Sequence, residues 1–239
     1  MPVDKRESTI RRMFGEIAPT YDRLNHLLSL SVDKWWRRVT VRRVPPTVGA
    51  GPILDLCTGT GDLALAYDRA AGGQVPIVGA DFCHPMLAIG RQKGLKAGLN
   101  GRLNFVEADA QQLPFGDEQF QIVCVAFGLR NVTDTDRGLR EMTRVCRPGG
   151  QVAVLEFSQP KWKPFRAVYT WYFNNVLPKI GQWLSRSPHQ AYTYLPNSVG
   201  EFPSGEALCD KMRIAGLQEV THRPLTFGIA TLYVGKKRV

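Results

Sequence analysis

A glycine-rich segment, Asp55-Leu-Cys-Thr-Gly-Thr-Gly-Asp-Leu-Ala64, has the residue types of a turn that holds a nucleotide cofactor. Gly59 and Gly61 lack a Cβ atom, so the backbone can bend tightly there and approach a ligand closely. The spacing Gly59-x-Gly61-x-x-Ala64 also satisfies the dinucleotide fingerprint, and Asp81 lies 20 residues beyond Gly61, where a ribose-binding acid is expected. Spacing alone therefore leaves the cofactor class open.

The carboxylates around this turn favour a cofactor that is positively charged and has no phosphate. Asp55 and Asp62 would face a pyrophosphate unfavourably, whereas they would attract the ammonium and sulfonium of S-adenosylmethionine. Asp81 is expected to accept hydrogen bonds from the ribose hydroxyls, and Asp109 with the N–H of Ala110 to hold the adenine. In the alternative interpretation, Asp62 is a helix-start residue and Asp109 a turn residue, and neither has a role in binding. Four acids near consecutive strand ends favour the cofactor site.

Alternating strands and helices must position these residues. Apolar runs alternate with helical patterns from Pro52 onward, which predicts a doubly wound, mostly parallel α/β sheet. The two last strands have no helix between them and should form an antiparallel hairpin at one sheet edge, giving seven strands in all. The predicted strands, the first five apolar on both faces, are 52–56, 77–81, 103–106, 121–127, 151–157, 217–222 and 229–235. The predicted helices between strands are 62–71, 84–98 and 134–146, and Pro148-Gly149-Gly150 should end the last of them and turn into the fifth strand.

The composition is that of a globular chain in a reducing compartment. The chain has 239 residues, of which 44% are hydrophobic and 22% charged, which excludes wholesale disorder and predicts one decorated domain. No apolar run approaches the ~18 residues that span a bilayer, and the start MPVDKRES does not resemble a signal peptide. The five cysteines have neither disulfide-framework nor metal-ligand spacing. We therefore expect a cytoplasmic protein without a metal.

The net charge of +10 is concentrated on two flanks of the chain. Residues 1–43 carry ten Lys and Arg against five acids, and residues 158–190 carry five against none. This placement suits an anionic membrane surface or an acidic partner, and an ordinary solvated basic face is equally compatible with it. No nucleic-acid-binding module is recognisable, so RNA methylation is not favoured.

Two regions lie outside the strand and helix alternation. Residues 5–43 have amphipathic helical patterns that break at Pro19 and end before Pro45-Pro46. Residues 161–185 combine aromatic and basic residues, a pattern found in helices that pack on a core and in helices that lie on membranes. Packing is the commoner role, and both roles are compatible if the helix roofs an apolar cavity. The large apolar residues of this stretch are Trp162, Phe165, Tyr169, Trp171, Tyr172, Phe173, Leu177 and Trp183.

Several segments resemble known enzymes. The motifs DLCTGTGDLA, GADF at 79–82, EADAQQLPF at 107–115 and EMTRVCRPGG at 141–150 resemble those of class I S-adenosylmethionine methyltransferases, which have a Rossmann-like fold. More narrowly, the chain resembles the quinone C-methyltransferases of menaquinone and ubiquinone biosynthesis from about residue 5 to its C-terminus. The segments that carry this narrower resemblance are Met13-Phe-x-x-Ile17-Ala18-x-x-Tyr21-Asp22-x-x-Asn25, Trp36-Arg37-Arg38, Phe127-Gly-Leu-Arg-Asn131 and Leu155-Glu-Phe157.

The resemblance implies roles for particular residues. It makes Thr60, Asp81, Asp109 and Ala110 cofactor contacts, in addition to Asp55, Gly59 and Gly61 of the glycine turn. Ala126 occupies a position that contributes to the pocket in the family. Compared with family members that have a hydroxyl-bearing residue there, this chain would lack one hydrogen bond.

The implied reaction transfers a methyl group to a ring carbon of a polyprenylated quinol, and the enzymes that the chain most resembles act on demethylmenaquinol. Ionisation of a quinol hydroxyl raises the electron density on the adjacent ring carbon. Arg130 and Asn131 are therefore expected to position the quinol and stabilise its negatively charged oxygen. Tyr21 and Asp22 are expected to close over the pocket. His26 and His84 are candidate bases, and water held by side chains is another. Arg130 could instead form a structural salt bridge, and His26 could be an ordinary surface histidine.

The domain prediction divides one methyltransferase domain into four parts. These are an N-terminal helical lid (1–46), a cofactor-binding core (47–157), a substrate-cover insertion (158–200) and a C-terminal helix and hairpin (201–239). Because an isoprenoid tail cannot remain in water, we expect the enzyme to take its substrate from the membrane. Lys161, Lys163, Arg166, Lys179 and Arg186 would then contact anionic headgroups.

Other functions remain open at this stage. Within the same family, the alternative is methylation of 2-methoxy-6-polyprenyl-1,4-benzoquinol in ubiquinone biosynthesis. Outside it, the alternatives are an NAD-dependent oxidoreductase and a binding module without catalysis. The sequence does not determine the oligomeric state or the tail length.

Overall fold

A computed structural model describes residues 6–99, 101–160, 162–175 and 190–239. Its centre is a seven-stranded sheet with the order β3-β2-β1-β4-β5-β7-β6. The first five strands in this order are parallel, and β7 runs antiparallel to both β5 and β6. The predicted fold class and the antiparallel edge hairpin are therefore confirmed. The strands are β1 Ile53–Leu56, β2 Ile77–Asp81, β3 Leu103–Glu107, β4 Phe120–Ala126, β5 Cys146–Phe157, β6 Leu217–Leu225 and β7 Ala230–Lys237.

Helices cover both faces of this sheet because successive strand residues point to opposite sides. In β1, Leu54 packs in a core with the helices Thr135–Val145 and Glu206–Ile214, whereas Ile53 packs in a second core with the helices Val32–Arg43 and Asp62–Ala70. The described helices are α1 Glu7–Ile17, α2 Tyr21–Leu28, α3 Val32–Arg43, α4 Asp62–Ala70, α5 His84–Lys96, α6 Thr135–Val145, α7 Lys163–Asn175, α8 Gln190–Glu201 and α9 Glu206–Ile214. None of the described helices is long and apolar enough to cross a bilayer.

Two strand predictions need correction. β5 begins already at Cys146, and Pro148-Gly149-Gly150 lies within it as an irregularity, since Phe120 pairs with Cys146 but Ile122 pairs with Gln151. β3 is not buried on both faces, because it is the edge strand of the sheet and exposes Asn104.

The N-terminal helices lie next to the carboxyl ends of the strands. The break predicted at Pro19 is a short 3-10 turn, Ala18–Thr20, and α3 ends at Arg43, two residues before the predicted proline stop. Ala18 packs with Cys83 and Met86 at the start of α5. This packing brings α1 and α2 to the edge of the sheet where a cofactor loop would lie.

Candidate active site

A cleft of about 760 Å³, including its open mouth, lies at the carboxyl ends of the parallel strands. Its position is the one at which doubly wound sheets bind ligands, since loops diverge there on both sides of the sheet. The lining residues from the core include Leu56, Cys57, Gly59, Asp81, Phe82, Asp109, Ala110, Gln111, Ala126, Phe127, Gly128 and Asn131.

The glycine turn after β1 shapes one wall of the cleft. Gly59 has a φ of 56°, and its N–H donates a hydrogen bond to Asp81 Oδ2 at 2.8 Å. Gly61 has a φ of 84°, and a Cβ at this position would come within 2.9 Å of the Phe105 ring. Glycine is therefore required at Gly61 by both conformation and space.

Asp81 is a buried carboxylate held in a fixed orientation at the end of β2. The N–H of Cys83 donates to its Oδ1 at 2.8 Å, while Gly59 donates to Oδ2. Burial raises the pKa of Asp81 to about 6, although these backbone N–H groups oppose the rise. A carboxylate preoriented in this way can accept the two hydroxyls of a ribose.

Asp109 and Ala110 line the cleft beyond β3, next to Asp81. Asp109 accepts hydrogen bonds from the backbone N–H and the side-chain amide of Gln111, which hold its carboxylate in place. Ala126 lines the opposite side at the end of β4. The structure thus brings five predicted cofactor residues into one cleft: Gly59, Asp81, Asp109, Ala110 and Ala126.

Two acidic positions of the turn, Asp55 and Asp62, do not face this cleft. Asp55 is only 1% exposed and accepts hydrogen bonds from Thr58 Oγ1 and the N–H of Ala64. Burial raises its pKa to about 7. Asp62 forms an ion pair with Lys93 at 2.5 Å. Of the four acids expected at the cofactor, only Asp81 and Asp109 therefore line the cleft, because Asp55 points into the core and Asp62 toward α5.

Thr60 and Gly61 also lie outside the cleft lining, and Thr60 contacts the N-terminal helices. Its hydroxyl donates to Asp22 Oδ1 at 2.6 Å, and Lys93 Nζ donates to Asp22 at 2.8 Å. Lys93 thus bridges Asp22 of α2 and Asp62 of α4. This network connects the predicted lid to the glycine turn.

A second, larger and mostly apolar cavity of about 1540 Å³, a volume that includes its open mouth, adjoins the cleft. It lies between the N-terminal helices, the ends of β4 and β5, and helices α7 and α8. Tyr169 and Tyr172 of α7 line it, whereas Trp162 and Trp171 are exposed. Part of the aromatic segment therefore roofs the apolar cavity, and another part faces outward. Lys161, Leu177, Lys179, Trp183 and Arg186 lie outside the described residues, as do the side chains of Lys163, Phe165 and Phe173.

Phe14, Tyr21 and Phe127 line both cavities and form the wall between them. Phe127 has a φ of 60°, a conformation that is strained for an aromatic residue. Its ring packs 4.5 Å from that of Phe157 and 5.7 Å from that of Trp36, centroid to centroid. Burial raises the pKa of Tyr21, so its hydroxyl stays protonated at neutral pH and can donate a hydrogen bond.

Arg130 and Asn131, adjacent in sequence, face different cavities. Arg130 lines the apolar cavity and pairs with the buried Glu156 at 2.8 Å. Its Nε is buried and has no hydrogen-bond partner within the described chain. Asn131 lines the cofactor cleft, and its Oδ1 accepts a hydrogen bond from Tyr194 at 3.1 Å. The salt-bridge interpretation of Arg130 therefore holds, together with one N–H that is still available.

Neither candidate base lines the cleft or the apolar cavity, although Asp33, the partner of His26, lines the apolar cavity. His26 Nδ1 is 2.8 Å from Asp33 Oδ2, and His84 Nδ1 is 3.2 Å from Glu107 Oε2; neither histidine lines a cavity. Cys57 lines the cleft, but burial and then the Asp81 charge raise its pKa well above the usual range, so it is not a thiolate nucleophile.

Arg37 is a residue that the sequence reasoning left without a role. It lines the apolar cavity, donates to Asp33 at 2.6 Å, and lies 5.6 Å from the Phe127 ring centroid. Asp33 and Asp62, with His26, form a group that could hold a metal ion, but the guanidinium of Arg37 already balances these acids. The signal for Arg37 was the Trp36-Arg37-Arg38 segment.

The sheet order and the ligand cleft define a class I S-adenosylmethionine-dependent methyltransferase fold. A SAM-dependent methyltransferase of Thermotoga maritima has the same fold, with a TM-score of 0.67 and 19% sequence identity over 95% of this chain and 99% of that one. The ubiE/COQ5 methyltransferase family model matches residues 2–237. The chain belongs to this family.

Named relatives share nearly the whole chain. A demethylmenaquinone methyltransferase of Thermus thermophilus is 50% identical over 228 residues, which cover 94% of this chain and 100% of that protein. A ubiquinone/menaquinone biosynthesis C-methyltransferase of Geobacter sulfurreducens is 47% identical over 228 residues, covering 95% of this chain and 88% of that protein.

Proposed function

We propose that this chain is a SAM-dependent C-methyltransferase that converts demethylmenaquinol to menaquinol. Family membership supports the reaction class, and the names of the relatives support the quinol. The observation that carries the proposal is that Phe14, Tyr21 and Phe127 line both cavities. The polar cofactor cleft is therefore directly adjacent to an apolar cavity large enough for a prenylated ring. Methyl donor and acceptor can therefore meet without water between them.

The residues of the cleft suit S-adenosylmethionine. Asp81 is oriented to accept the ribose hydroxyls, and Asp109 with the N–H of Ala110 would hold the adenine. Gly59 leaves its outer side open, since no atom lies within 4 Å of where its Cβ would be. When bound, the cofactor supplies an electrophilic methyl group.

The apolar cavity suits the ring and the start of its tail. Phe127, Phe157 and Trp36 offer aromatic faces. Tyr21 can donate its hydroxyl, and Arg130 its free Nε–H, to a quinol oxygen, and both contacts strengthen as that oxygen becomes negative. Arg130 acts as a charge partner and not as a base, since a guanidinium stays protonated.

The ring carbon must lose its proton after methylation. His26 and His84 line neither cavity, so we propose that a water molecule held near Asn131 and Tyr194 accepts the proton. Glu156 is committed to Arg130 and to the N–H of Phe157.

We further propose that the substrate is a polyprenyl quinol taken from an anionic membrane to which the enzyme attaches peripherally. Two features support this: Tyr169 and Tyr172 of α7 line the apolar cavity, and Trp162 and Trp171 on the same segment face outward. Aromatic residues of this kind partition to the headgroup level of a bilayer. Nucleic acid is not part of the proposal, and the oligomeric state is left open.

The test compares two reduced quinols side by side. Purified enzyme receives radiolabelled S-adenosylmethionine with either demethylmenaquinol or 2-methoxy-6-polyprenyl-1,4-benzoquinol, each with a one-isoprene tail. We expect ring methylation of the naphthoquinol, none of the oxidised quinone, and loss of label transfer in Asp81→Asn. Methyl on oxygen, or no transfer to any quinol, would refute the proposal.

Methylation of the benzoquinol is the second candidate function. It is supported by the Geobacter relative, whose name covers both ubiquinone and menaquinone biosynthesis. Equal turnover of the two quinols in the same assay would assign both reactions to this chain.

A further inference from the structure

The α2–α3 turn and the outer side of α3 form an exposed surface that is basic and apolar but contains no acid. We call this surface the docking face, and it consists of Leu27, Leu30, Lys34, Trp35, Arg38 and Arg42. Leu27 is 54% exposed, Leu30 83% and Trp35 46%. Lys34, Arg38 and Arg42 follow one another at four-residue spacing, so they share one side of α3.

The acids of this region are turned away from the docking face. Asp33 is buried and accepts hydrogen bonds from Arg37 and Ser29. Asp22 is bound by Lys93 and Thr60. Within the described part of the chain, no acidic side chain forms an ion pair with Lys34, Arg38 or Arg42. The positive charge of the face is therefore not neutralised by the protein itself.

The apolar cavity opens at this face. Leu28, Leu30 and Val32 line that cavity, and Leu30 is at the same time 83% exposed. Leu30 and Ser31 have φ values of 50° and 60°. Two successive non-glycine residues in this conformation are uncommon, and they project Leu30 outward at the mouth of the cavity.

We propose that the docking face binds an anionic lipid bilayer, with Leu27, Leu30 and Trp35 in the interfacial layer and the three basic residues at the headgroups. A prenylated substrate could then enter the cavity at Leu30 without crossing water. The inference rests on the proposed quinol substrate and assigns its route of entry. A bilayer fits better than nucleic acid because the face presents aliphatic side chains that phosphates and bases do not require.

The first experiment measures binding to vesicles of about one-third phosphatidylglycerol and two-thirds phosphatidylcholine. The double variant Lys34→Gln with Arg38→Gln should bind about 30-fold more weakly, from about 1 kcal/mol per basic residue. The matched control, Arg137→Gln with Arg140→Gln, removes two exposed charges from α6 on the opposite face of the sheet and should bind like the unmodified chain. Equal binding by the two double variants would overturn the proposal.

A second pair of measurements separates the apolar part of the face from charge alone. Leu27→Ser should weaken vesicle binding at high salt, where screening removes most of the electrostatic attraction. Binding of this variant that matches the unmodified chain at every salt concentration would indicate a purely electrostatic partner, such as RNA, and contradict bilayer insertion. Thermal melting and S-adenosylmethionine binding establish that each variant is folded.

Turnover distinguishes this inference from the proposed function. With a one-isoprene quinol in solution, the Lys34 and Arg38 double variant should match the unmodified chain, whereas with a long-tailed quinol in vesicles its rate should fall about as binding does. A variant that loses both rates equally would contradict a role in substrate delivery. Absence of quinol methylation by the unmodified chain would refute the proposed function, while the vesicle binding data would still test the docking face.

Discussion

Arg130 and Glu156 form a buried ion pair whose removal tests stability and catalysis together. Arg130 lies in the 3-10 turn Leu129–Asn131 that follows β4, Glu156 is 1% exposed on β5, and their charged atoms are 2.8 Å apart. Breaking such a pair by removing one partner costs about 3–5 kcal/mol, since the other charge remains buried. The cost of Arg130→Ala should lie at the lower end of this range, at about 3 kcal/mol, because the N–H of Phe157 still donates to Glu156 at 2.8 Å.

The predicted loss of stability is large enough to measure in two ways. For a domain of this size, about 3 kcal/mol corresponds to a fall in Tm of roughly 6–12 °C. Urea unfolding gives the free energy directly. The paired variant Arg130→Met with Glu156→Leu removes both charges and should recover most of the lost stability.

Activity separates the catalytic role of Arg130 from its structural one. Arg130→Ala should lower turnover and leave S-adenosylmethionine affinity nearly unchanged, because Arg130 lines the apolar cavity and not the cofactor cleft. The paired variant should regain stability but not turnover. Turnover at the unmodified rate in the stable paired variant would remove Arg130 from the mechanism, and an unfolding free energy unchanged by Arg130→Ala would refute the ion-pair reasoning.

Three further predictions concern the cleft and the charged groups around it. Between pH 5 and pH 7, Asp55→Asn should gain about 2 kcal/mol of unfolding free energy relative to the unmodified chain, because a pKa of about 7 in the folded state makes ionisation of Asp55 costly. Urea unfolding measures this difference, and a difference that does not change with pH would contradict the prediction. S-adenosylmethionine affinity, measured by calorimetry, should fall as the pH drops below the Asp81 pKa of about 6, and Asp81→Asn should bind weakly at every pH. Lys93→Met should release the cofactor several-fold faster in stopped flow by freeing the N-terminal helices, whereas the exposed control Lys96→Met should not.

Much of the fold could be predicted because its signals are local. The sequence pattern predicted all seven strands. Helix α6 begins at Thr135, one residue after its predicted start, and Asp134 caps it by accepting from the N–H of Arg137. The carboxyl ends of parallel strands meet at one edge, so Asp81, Asp109 and Ala126 could be predicted to converge although they are far apart in sequence.

The depth of each carboxylate below the cleft was not predictable in the same way. Asp55 and Asp81 both lie at the carboxyl ends of neighbouring strands, yet Asp81 lines the cleft and Asp55 faces Thr58 and the start of α4. Asp55 pairs with Gly79, two residues before Asp81, so both carboxylates lie on the same face of the sheet, and their depth along the strands decides which of them reaches the cleft. The charge argument for the cofactor therefore rests on two acids, while the family match supports the cofactor independently.

The sequence by itself determined the order of the elements, the glycine turn and the family, because each depends on residue types at short spacing. Only the tertiary structure decided which partners the charged groups take: Lys93 pairs with Asp22 and Asp62, and Arg130 pairs with Glu156. Among the residues that the structure describes, Lys34, Arg38 and Arg42 of α3 take no acidic partner. These pairings join residues that are distant along the chain. Burial then sets their strength, and no local pattern of residues encodes either property.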